Sequence, residues 1–458
     1  MSTSNTVESP NVVLVSTYEM GRQPFGLASP AAWLAGRGAN VELWDLDVDD
    51  VDANRLSEFD LFGFYLPMHT ATRLAVPIIE RVRAQNPEAH IAAFGIYAPL
   101  NGAYLRQLGV DTVLGGEFEE DLAALYDHVR EGKTPVTDDP LRPNRLRLKI
   151  PDRSALPALG RYAKLQMPGG ETRTVGYTEA SRGCKHLCRH CPVVPVYQGR
   201  FNIVPPEVVL ADIANQVAAG AEHITFGDPD FFNGPAHAVR VVEAMKEAFP
   251  SLTYDATIKV EHLADRLDLI PWLADTGCAF VTTAMESFDD RVLEILEKGH
   301  TVDDFVTVLD ESRRAGLPIA PTFVAFNPWT TLDNYGDFLG FIDDLGLVEG
   351  VAPIQYGIRL LLPEGSLLLE VPDVADLVGP FDAGSLTYPW QHPDPDVDRL
   401  QEAVMSVVRH PHDEGRRVLF DRVRAVAAEL GATTSSRRDA AEVPALATIP
   451  YMTEPWYC

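Results

Sequence analysis

Residues 174–191 read TVGYTEASRGCKHLCRHC, and this stretch decides the predicted fold. Its first part, residues 174–179, has the apolar and β-branched character of a buried strand. Three cysteines follow within eight residues, Cys184, Cys188 and Cys191, in the spacing C-x3-C-x2-C. The stretch therefore predicts a strand that leads directly into a cysteine loop.

Strand and helix signals alternate downstream of this loop. Strands are predicted at residues 223–226, 253–258, 280–285, 319–326 and 354–361. Helices are predicted between or after them, at residues 206–219, 236–248, 289–296, 303–315 and 334–345. Successive βα units of this kind indicate a partial (βα)6 TIM barrel, whose chemistry takes place at the C-terminal ends of the strands.

The chain upstream of the loop shows the same alternation on a smaller scale. Strands are predicted at residues 12–16, 41–46, 61–66, 91–94 and 112–114, and helices at residues 28–36, 72–85 and 119–130. This pattern indicates an α/β Rossmann-like domain with a doubly wound sheet. Prolines and charges then break any period over residues 131–157, which predicts a linker.

The composition is that of an acidic globular protein. The 458 residues carry 66 acidic against 38 basic side chains, a formal net charge of −28, so nucleic acid is an unlikely partner. Hydrophobic residues at 46% and charged residues at 23% are ordinary globular values. Residues 1–10 do not resemble a secretion signal, and no apolar run approaches the length of a membrane span. We therefore expect a cytoplasmic protein without membrane contact, whose thiols are reduced.

The cysteine spacing favours one kind of metal centre. A structural zinc site commonly uses two C-x2-C pairs, and no second pair exists because Cys278 and Cys458 are isolated. In a [4Fe-4S] cluster, three cysteines leave one iron free to bind a small chelating molecule. Zinc held by the three cysteines and either His186 or His190 is the alternative that stays open. Cys278 is expected to be a small buried apolar residue.

With this loop after the first strand of a partial barrel, the sequence resembles the radical SAM superfamily. The resemblance implies that Cys184, Cys188 and Cys191 hold a [4Fe-4S] cluster whose free iron binds S-adenosylmethionine. It also implies reductive cleavage of S-adenosylmethionine to methionine and a 5′-deoxyadenosyl radical, with electrons from a reductant such as ferredoxin or flavodoxin. The substrate is expected to be a small molecule or a peptide.

Two further segments match the barrel pattern of this family. After the second strand, the sequence FGDPDF stands where the family has a Gly-Gly-Glu motif, so Gly227 and Asp228 are expected to contact the methionine ammonium. After the fourth strand, the sequence MES implies that Glu286 and Ser287 contact the adenosyl or methionine part. A solvated loop end or a helix N-cap is the competing interpretation for any one of these acids.

The N-terminal domain is similar to the cobalamin(B12)-binding-like domain that precedes the barrel in many class B radical SAM enzymes. The resemblance rests on the order of elements and on Gly115-Gly116-Glu117 followed by Glu119. Domains that ligate cobalt by histidine carry Asp-x-His-x-x-Gly after the first strand, whereas residues 17–22 here read TYEMGR. The domain therefore either binds a corrinoid without a histidine ligand or has kept the fold and lost the cofactor.

These assignments give four predicted parts of the chain. They are a cobalamin-binding-like domain over residues 1–135, a linker over 136–165, a radical SAM barrel over 166–370 and a C-terminal accessory region over 371–458. The accessory region is expected to be helical over residues 395–430.

The chain ends in YMTEPWYC, which resembles the CUAEP/CCAEP-tail radical SAM (seleno)proteins. In those proteins the chain continues past a cysteine into selenocysteine or cysteine and then Ala-Glu-Pro. The resemblance implies that Cys458 begins such a tail and is a candidate catalytic residue, and that a selenocysteine codon after it is read as a stop. A packed tail with an incidental thiol is the competing interpretation.

Two functions outside catalysis stay open on the sequence alone. One is a zinc-binding module, and the other is an iron-sulfur carrier or scaffold. Among reactions, methyl or alkyl transfer leads if the N-terminal domain holds cobalamin. Rearrangement, cyclisation and sulfur chemistry are equally open if it does not.

Overall fold

The N-terminal part of the protein is built on a parallel sheet. The computed structural model describes residues 9–133, 146–409, 414–433 and 450–453. The first five strands are β1 (Asn11–Ser16), β2 (Asn40–Asp45), β3 (Leu61–Tyr65), β4 (His90–Phe94) and β5 (Thr112–Leu114). They form a sheet in the order β2-β1-β3-β4-β5, with every pair parallel.

Helices cover both faces of this sheet, which explains why its central strands are nearly continuous apolar runs. The helices are α1 (Phe25–Ala35), α2 (His69–Gln85), α3 (Tyr97–Leu100), α4 (Gly102–Gln107) and α5 (Glu119–Arg130). Every residue of β3 is buried, as are all residues of β1 after the first. The strand order changes direction between β1 and β3, and a doubly wound sheet binds ligands beyond the carboxyl ends of its strands at that point.

A second, curled sheet follows. Its seven strands are β6 (Lys164–Gln166), β7 (Thr172–Thr178), β10 (His223–Phe226), β11 (Thr253–Thr257), β12 (Cys278–Glu286), β13 (Ile319–Phe323) and β14 (Tyr451–Met452). Between β7 and β10 the chain also forms β8 (Ser181–Gly183) and β9 (Phe201–Ile203). The sheet order is β13-β12-β11-β10-β7-β6-β14. The strands from β7 to β13 in this sheet are parallel, whereas β6 and β14 are antiparallel additions at its edge. Strands β8 and β9 pair with each other in a separate antiparallel sheet.

Helices alternate with the parallel strands and bury the sheet's outer face in one large apolar core. The α-helices after β8, including those beyond the last parallel strand, are α6 (Val193–Tyr197), α7 (Pro206–Ala218), α8 (Pro235–Ala248), α9 (Val260–Asp265), α10 (Leu269–Asp275), α11 (Asp290–Ile295), α12 (Val302–Ala315), α13 (Leu332–Asp344), α14 (Pro372–Ala375), α15 (Pro395–Val408) and α16 (Arg416–Glu429). The predicted fold class is confirmed: a Rossmann-like domain precedes a partial barrel and a helical extension.

The predicted sixth barrel strand, residues 354–361, is wrong. Pro353–Tyr356 is a short 3-10 helix, and this described stretch meets the barrel through one parallel bridge at Arg359. The Gln355 side chain accepts a hydrogen bond from the Phe323 amide at 2.8 Å. It thereby occupies an amide at the edge of β13 that a sixth strand would pair with.

The region predicted to be helical over residues 395–430 contains two helices, α15 and α16. Gly415 has an extended conformation and precedes α16, so a single helix cannot run through it. Within the described ranges, no helix combines the length and apolar character needed to cross a bilayer.

Candidate metal and cofactor site

The cysteine loop begins at a turn that requires glycine. Gly183 has φ +76°, and a Cβ there would lie 2.4 Å from the Tyr197 ring. The Asn233 side chain holds both sides of this turn, donating to the Gly183 carbonyl at 3.1 Å and accepting from the Lys185 amide at 3.1 Å. These contacts fix the backbone on either side of Cys184.

The other two cysteines lie on a turn packed against the end of α11. The Cys191 amide donates to the Cys188 carbonyl at 3.1 Å, and the Arg189 amide donates to the Leu296 carbonyl at 3.0 Å. Burial raises the pKa of Cys184 to about 12 and that of Cys191 to about 11. The loop therefore presents neutral thiols until a cation or metal stabilises the thiolates.

The sulfur spacing distinguishes between the two metal centres left open by the sequence. Thiolates on one tetrahedral zinc ion, with Zn–S bonds near 2.3 Å, lie about 3.8 Å apart. Among the residues that the structure describes, the three loop cysteines do not form a group whose sulfur atoms all lie within 4.8 Å of one another. At least one pair of these sulfur atoms therefore lies more than 4.8 Å apart, which is wider than the spacing of thiolates on one zinc ion.

A buried lysine and glutamate stand beside the loop. Lys298 Nζ and His190 Nε2 lie 3.3 and 3.1 Å from Glu286 Oε1. Burial disfavours both charges, but the attraction between the two side chains is stronger than this effect. The pKa of Lys298 is therefore raised, and Lys298 and His190 lower the pKa of Glu286 to about 2. The Cys188 and Cys191 side chains, when ionised, also raise the pKa of Lys298, so a positive charge that would stabilise thiolates faces the loop.

Glu286 and Ser287 line a small cavity of about 20 Å³ at the carboxyl ends of β12 and β13, which we call the barrel-end cavity. The register between these strands shifts at Glu286, whose φ is +66°. The Ser287 hydroxyl accepts a hydrogen bond from the Asp289 amide at 3.1 Å. The two predicted residues are thus brought together at the edge where barrel chemistry takes place.

Gly227 and Asp228 do not line the barrel-end cavity. Both carboxylate oxygens of Asp228 are used within the chain, accepting from the Ala180 amide at 2.9 Å and the Ser181 hydroxyl at 2.6 Å. Asp228 therefore holds the turn between β7 and β8, and burial raises its pKa to about 7. Gly227 lies against Tyr177, whose hydroxyl would be 1.9 Å from a Cβ at that position.

A second cavity, of about 180 Å³ and open to solvent, lies between the two domains, and we call it the interdomain cavity. On the barrel side its lining includes Gly183 and Gly227, so it reaches the cysteine loop. On the other side it is lined by residues after β1, β3, β4 and β5, the edge where doubly wound sheets bind ligands: Glu19, Met20, Pro67, Met68, Gly95, Ile96, Gly116 and Phe118.

A buried arginine at this cavity joins the domains, and the sequence did not reveal it. Arg182 lies 2.6 Å from Glu179 in the barrel, and 3.1 and 2.7 Å from Glu117 and Glu119 of the N-terminal domain. Burial alone would lower the pKa of Arg182, but these carboxylates raise it well above its usual range. The only sequence signal for this contact was Glu117, which follows Gly115 and Gly116. Its partner, Arg182, lies 65 residues further along the chain.

The interdomain cavity also contains an acid without a partner. Glu19 Oε2 is buried with no hydrogen-bond partner, and burial together with the neighbouring Glu179 raises the pKa of Glu19 to about 8. No histidine is among the described residues that line this cavity. His69 follows Met68 but its ring contacts the Ser385 carbonyl.

Of the two remaining cysteines, the structure describes only Cys278. Cys278 is buried at the start of β12, and its thiol contacts the Phe280 carbonyl at 3.2 Å. Cys458 lies outside the described residues, so its role in a redox tail stays a prediction.

The barrel and its cysteine loop define a radical SAM enzyme. Residues 178–344, from the end of β7 to the end of α13, match the family described as "Radical SAM superfamily". The same class appears among solved structures that resemble the whole chain. The family implies a [4Fe-4S] cluster and S-adenosylmethionine.

Two of those structures are described as radical S-adenosylmethionine enzymes. The cobalamin-dependent S-adenosylmethionine radical enzyme OxsB with aqua-cobalamin bound has a TM-score of 0.69 at 15% identity, over 95% of this chain and 74% of that one. The radical S-adenosylmethionine methyltransferase TsrM from Kitasatospora setae has a TM-score of 0.62 at 18% identity, over 80% and 76%. At such identities the likeness shows the shared fold.

Curated relatives by sequence carry a different name. The tRNA-2-methylthio-N(6)-dimethylallyladenosine synthase of Shewanella baltica is 21% identical over 355 residues, covering 74% of this chain and 68% of the relative. The protein of the same name from Histophilus somni is 23% identical over 280 residues, covering 57% and 55%. The chain therefore spans about half to two thirds of the length of these relatives.

Proposed function

We propose that Cys184, Cys188 and Cys191 hold a [4Fe-4S] cluster at which S-adenosylmethionine is reductively cleaved, which supplies a 5′-deoxyadenosyl radical for a small-molecule or peptide substrate. The wide sulfur spacing supports a cluster over a single zinc ion. The Lys298 ammonium beside the loop supports an anionic centre there, since a buried positive charge stabilises thiolates.

The barrel end around this small cavity is the proposed place for part of S-adenosylmethionine. Glu286 is ionised well below neutral pH and is buried, so its second carboxylate oxygen can accept hydrogen bonds from an amine or a ribose hydroxyl. Ser287 adds a hydroxyl on the same cavity wall. His190 Nε2 lies 3.1 Å from Glu286 Oε1, and this contact connects the barrel-end cavity to the cysteine loop.

We further propose that the interdomain cavity holds cobalamin without a histidine ligand from the protein. The single observation that carries this proposal is the position of the cavity, which extends from the ligand edge of the Rossmann-like sheet to Gly183 beside the cysteine loop. The unpartnered, largely protonated Glu19 carboxyl suits the amide groups at a corrin periphery, because it can donate and accept hydrogen bonds. Methyl or alkyl transfer is then the leading reaction.

A nucleic-acid substrate is less well supported, although relatives are named for a tRNA modification. The formal net charge of −28 opposes binding to a polyanion. A small molecule or a peptide does not meet this electrostatic opposition.

Corrinoid binding is tested by purifying the protein anaerobically from cobalamin-fed cells and measuring corrinoid per chain. Met68→Trp adds volume to a side chain that lines the interdomain cavity, so the bound corrinoid should fall at least tenfold. Leu74→Trp, an exposed position on α2, is the matched control and should keep wild-type corrinoid. Wild-type protein without corrinoid, or equal corrinoid in both variants, would contradict the proposal.

Cleavage of S-adenosylmethionine is tested with reconstituted protein and a strong reductant, by measuring 5′-deoxyadenosine and methionine. Glu286→Gln should slow product formation at least tenfold, because the neutral amide loses the charge that Lys298 and His190 maintain. Glu294→Gln, on the exposed side of α11, is the control and should leave the rate unchanged. Equal rates in the two variants would count against the barrel-end cavity.

A further inference from the structure

A group of side chains beside the cysteine loop is used neither by the proposed cluster nor by the two cavities. Among the described residues, the three potential ligands that bring their donor atoms within 4.8 Å of one another are His186, Asp230 and His262. His186 belongs to the cysteine loop, Asp230 follows β10 and His262 lies on α9. Three separate elements therefore converge on one point.

The distances suit a single metal ion. With Nδ1 of His262 as the ligand atom, His262 Nδ1 lies 2.7 Å and His186 Nε2 lies 3.8 Å from Asp230 Oδ2. The other ring nitrogen of His262, Nε2, lies 3.0 Å from His186 Nε2 and is not a ligand to the same ion. Nitrogen and oxygen ligands at about 2.0–2.1 Å from a tetrahedral ion are roughly 3.3 Å apart. The two separations from Asp230 Oδ2 lie on either side of that value, and all three donor atoms lie within 4.8 Å of one another, so side-chain rotations would satisfy it.

Two of these donor atoms have no hydrogen-bond partner. Asp230 Oδ2 and His262 Nδ1 are both buried and unpartnered, although they are only 2.7 Å apart, because their relative orientation does not permit a hydrogen bond. The Asp230 side chain is 0% exposed and that of His262 is 7% exposed. Leaving buried polar atoms unsatisfied costs free energy, and a bound cation would remove that cost.

The outer contacts are those of a metal site. The other oxygen of Asp230, Oδ1, accepts from the amides of Phe232 and Lys259, both at 3.3 Å, which leaves Oδ2 for an ion. His186 Nδ1 lies 3.4 Å from Glu261 Oε2, and Lys259 Nζ in turn contacts that carboxylate at 2.8 Å. A carboxylate behind the second ring nitrogen is the usual support of a metal-binding histidine.

We propose that His186, Asp230 and His262 form a second metal site, separate from the cluster, for a divalent transition-metal ion such as Zn²⁺ or Fe²⁺. Two imidazoles and one carboxylate are a ligand set that both ions use, with a coordination position left open. His186 stands between two of the loop cysteines, so the ion ties the cysteine loop to α9 and to the loop after β10. The site does not depend on cleavage of S-adenosylmethionine.

The test measures zinc and iron per chain in reconstituted full-length protein, after equilibration with Zn²⁺ and removal of unbound metal. Wild type should retain one zinc in addition to the cluster iron, and His262→Gln should lose the zinc and keep the iron. His237→Gln is the matched control, a buried histidine that contacts the Ala180 carbonyl at 3.0 Å, and it should keep both metals. Equal zinc in wild type and His262→Gln, or no zinc in wild type, would overturn the proposal. His186 and His262 would then contact each other without binding a metal.

A milder variant covers the case in which His262→Gln disturbs folding. Glu261→Gln changes a partly exposed side chain that supports His186 from outside, and loss of such a contact typically weakens metal binding about 10- to 100-fold. The zinc affinity should fall by this factor while the iron content stays at the wild-type value. An unchanged zinc affinity would overturn the proposal, whatever the outcome for S-adenosylmethionine cleavage.

Discussion

The Arg182→Met substitution tests whether a buried ion cluster couples the two domains. Arg182 contacts Glu179 at 2.6 Å, Glu119 at 2.7 Å and Glu117 at 3.1 Å, with 6% of its side chain exposed. Methionine keeps an unbranched apolar chain and removes the charge. The three carboxylates then stay buried without their cation.

The size of the effect follows from burial. Removing one partner of a buried ion pair costs about 3–5 kcal/mol, because the remaining charge is uncompensated. An exposed ion pair contributes about 0–1 kcal/mol. Arg161→Met is the matched control, since Arg161 also joins the domains, 2.8 Å from Asp49, but both side chains are about half exposed. We expect a loss of about 3–5 kcal/mol for Arg182→Met and below about 1 kcal/mol for Arg161→Met.

The penalty should also depend on pH. Burial raises the pKa of Glu117 and the pKa of Glu179 above the ordinary value of 4.5. Stability from an acid whose pKa is raised on folding is present at low pH and is lost as the pH rises through the folded-state pKa. Without Arg182 these pKa values rise further, so the stability difference between wild type and Arg182→Met should grow from pH 5 to pH 8.

The assay is urea unfolding of the metal-free protein at both pH values, followed by circular dichroism and tryptophan fluorescence. Similar losses in Arg182→Met and Arg161→Met would refute the buried cluster as a link between the domains. A penalty that shrinks with rising pH would refute the assignment of the raised pKa values.

Three further predictions concern single sites. Because burial raises the pKa of Glu19 to about 8, Glu19→Gln should gain urea resistance over wild type as the pH rises from 5 to 8, and parallel pH profiles would contradict this. Gly227→Ala should destabilise the protein by about 1–3 kcal/mol through its contact with Tyr177, whereas Gly160→Ala, which points into open space, should not; equal urea midpoints would be the contrary result. Burial raises the pKa of Cys278 well above its usual range, so iodoacetamide should label it only after unfolding, as followed by mass spectrometry; rapid labelling in native buffer would disprove this.

Local sequence patterns were enough to predict most of the strands and helices. The strand predicted at residues 223–226 coincides with β10, and the helix predicted at 119–130 coincides with α5. In both cases a continuous apolar run or a 3.6-residue period is confined to one short window. The cysteine loop was visible for the same reason, because its three thiols are close in sequence.

Features that depend on distant pairing were not predicted. Strands β6 and β14 are only three and two residues long, and the contact between Lys164 and Thr453 spans 289 residues. No local period distinguishes such short edge strands. Arg182 meets two glutamates of the other domain, whereas Asp230 and His262 meet because they follow β10 and β11, which are neighbours in one sheet. The sequence does not contain the side-chain directions that decide those contacts.

The most direct test of the central claim is the iron and sulfide content of anaerobically reconstituted protein in which Cys184, Cys188 and Cys191 are replaced by alanine. Wild type should be brown, with iron and acid-labile sulfide in the ratio of a [4Fe-4S] cluster, and the triple variant should lose both. Cys278→Ala, which removes a buried thiol away from the loop, should keep the full cluster. Wild-type iron in the triple variant, or colourless wild-type protein with zinc and no sulfide, would contradict the assignment of the loop.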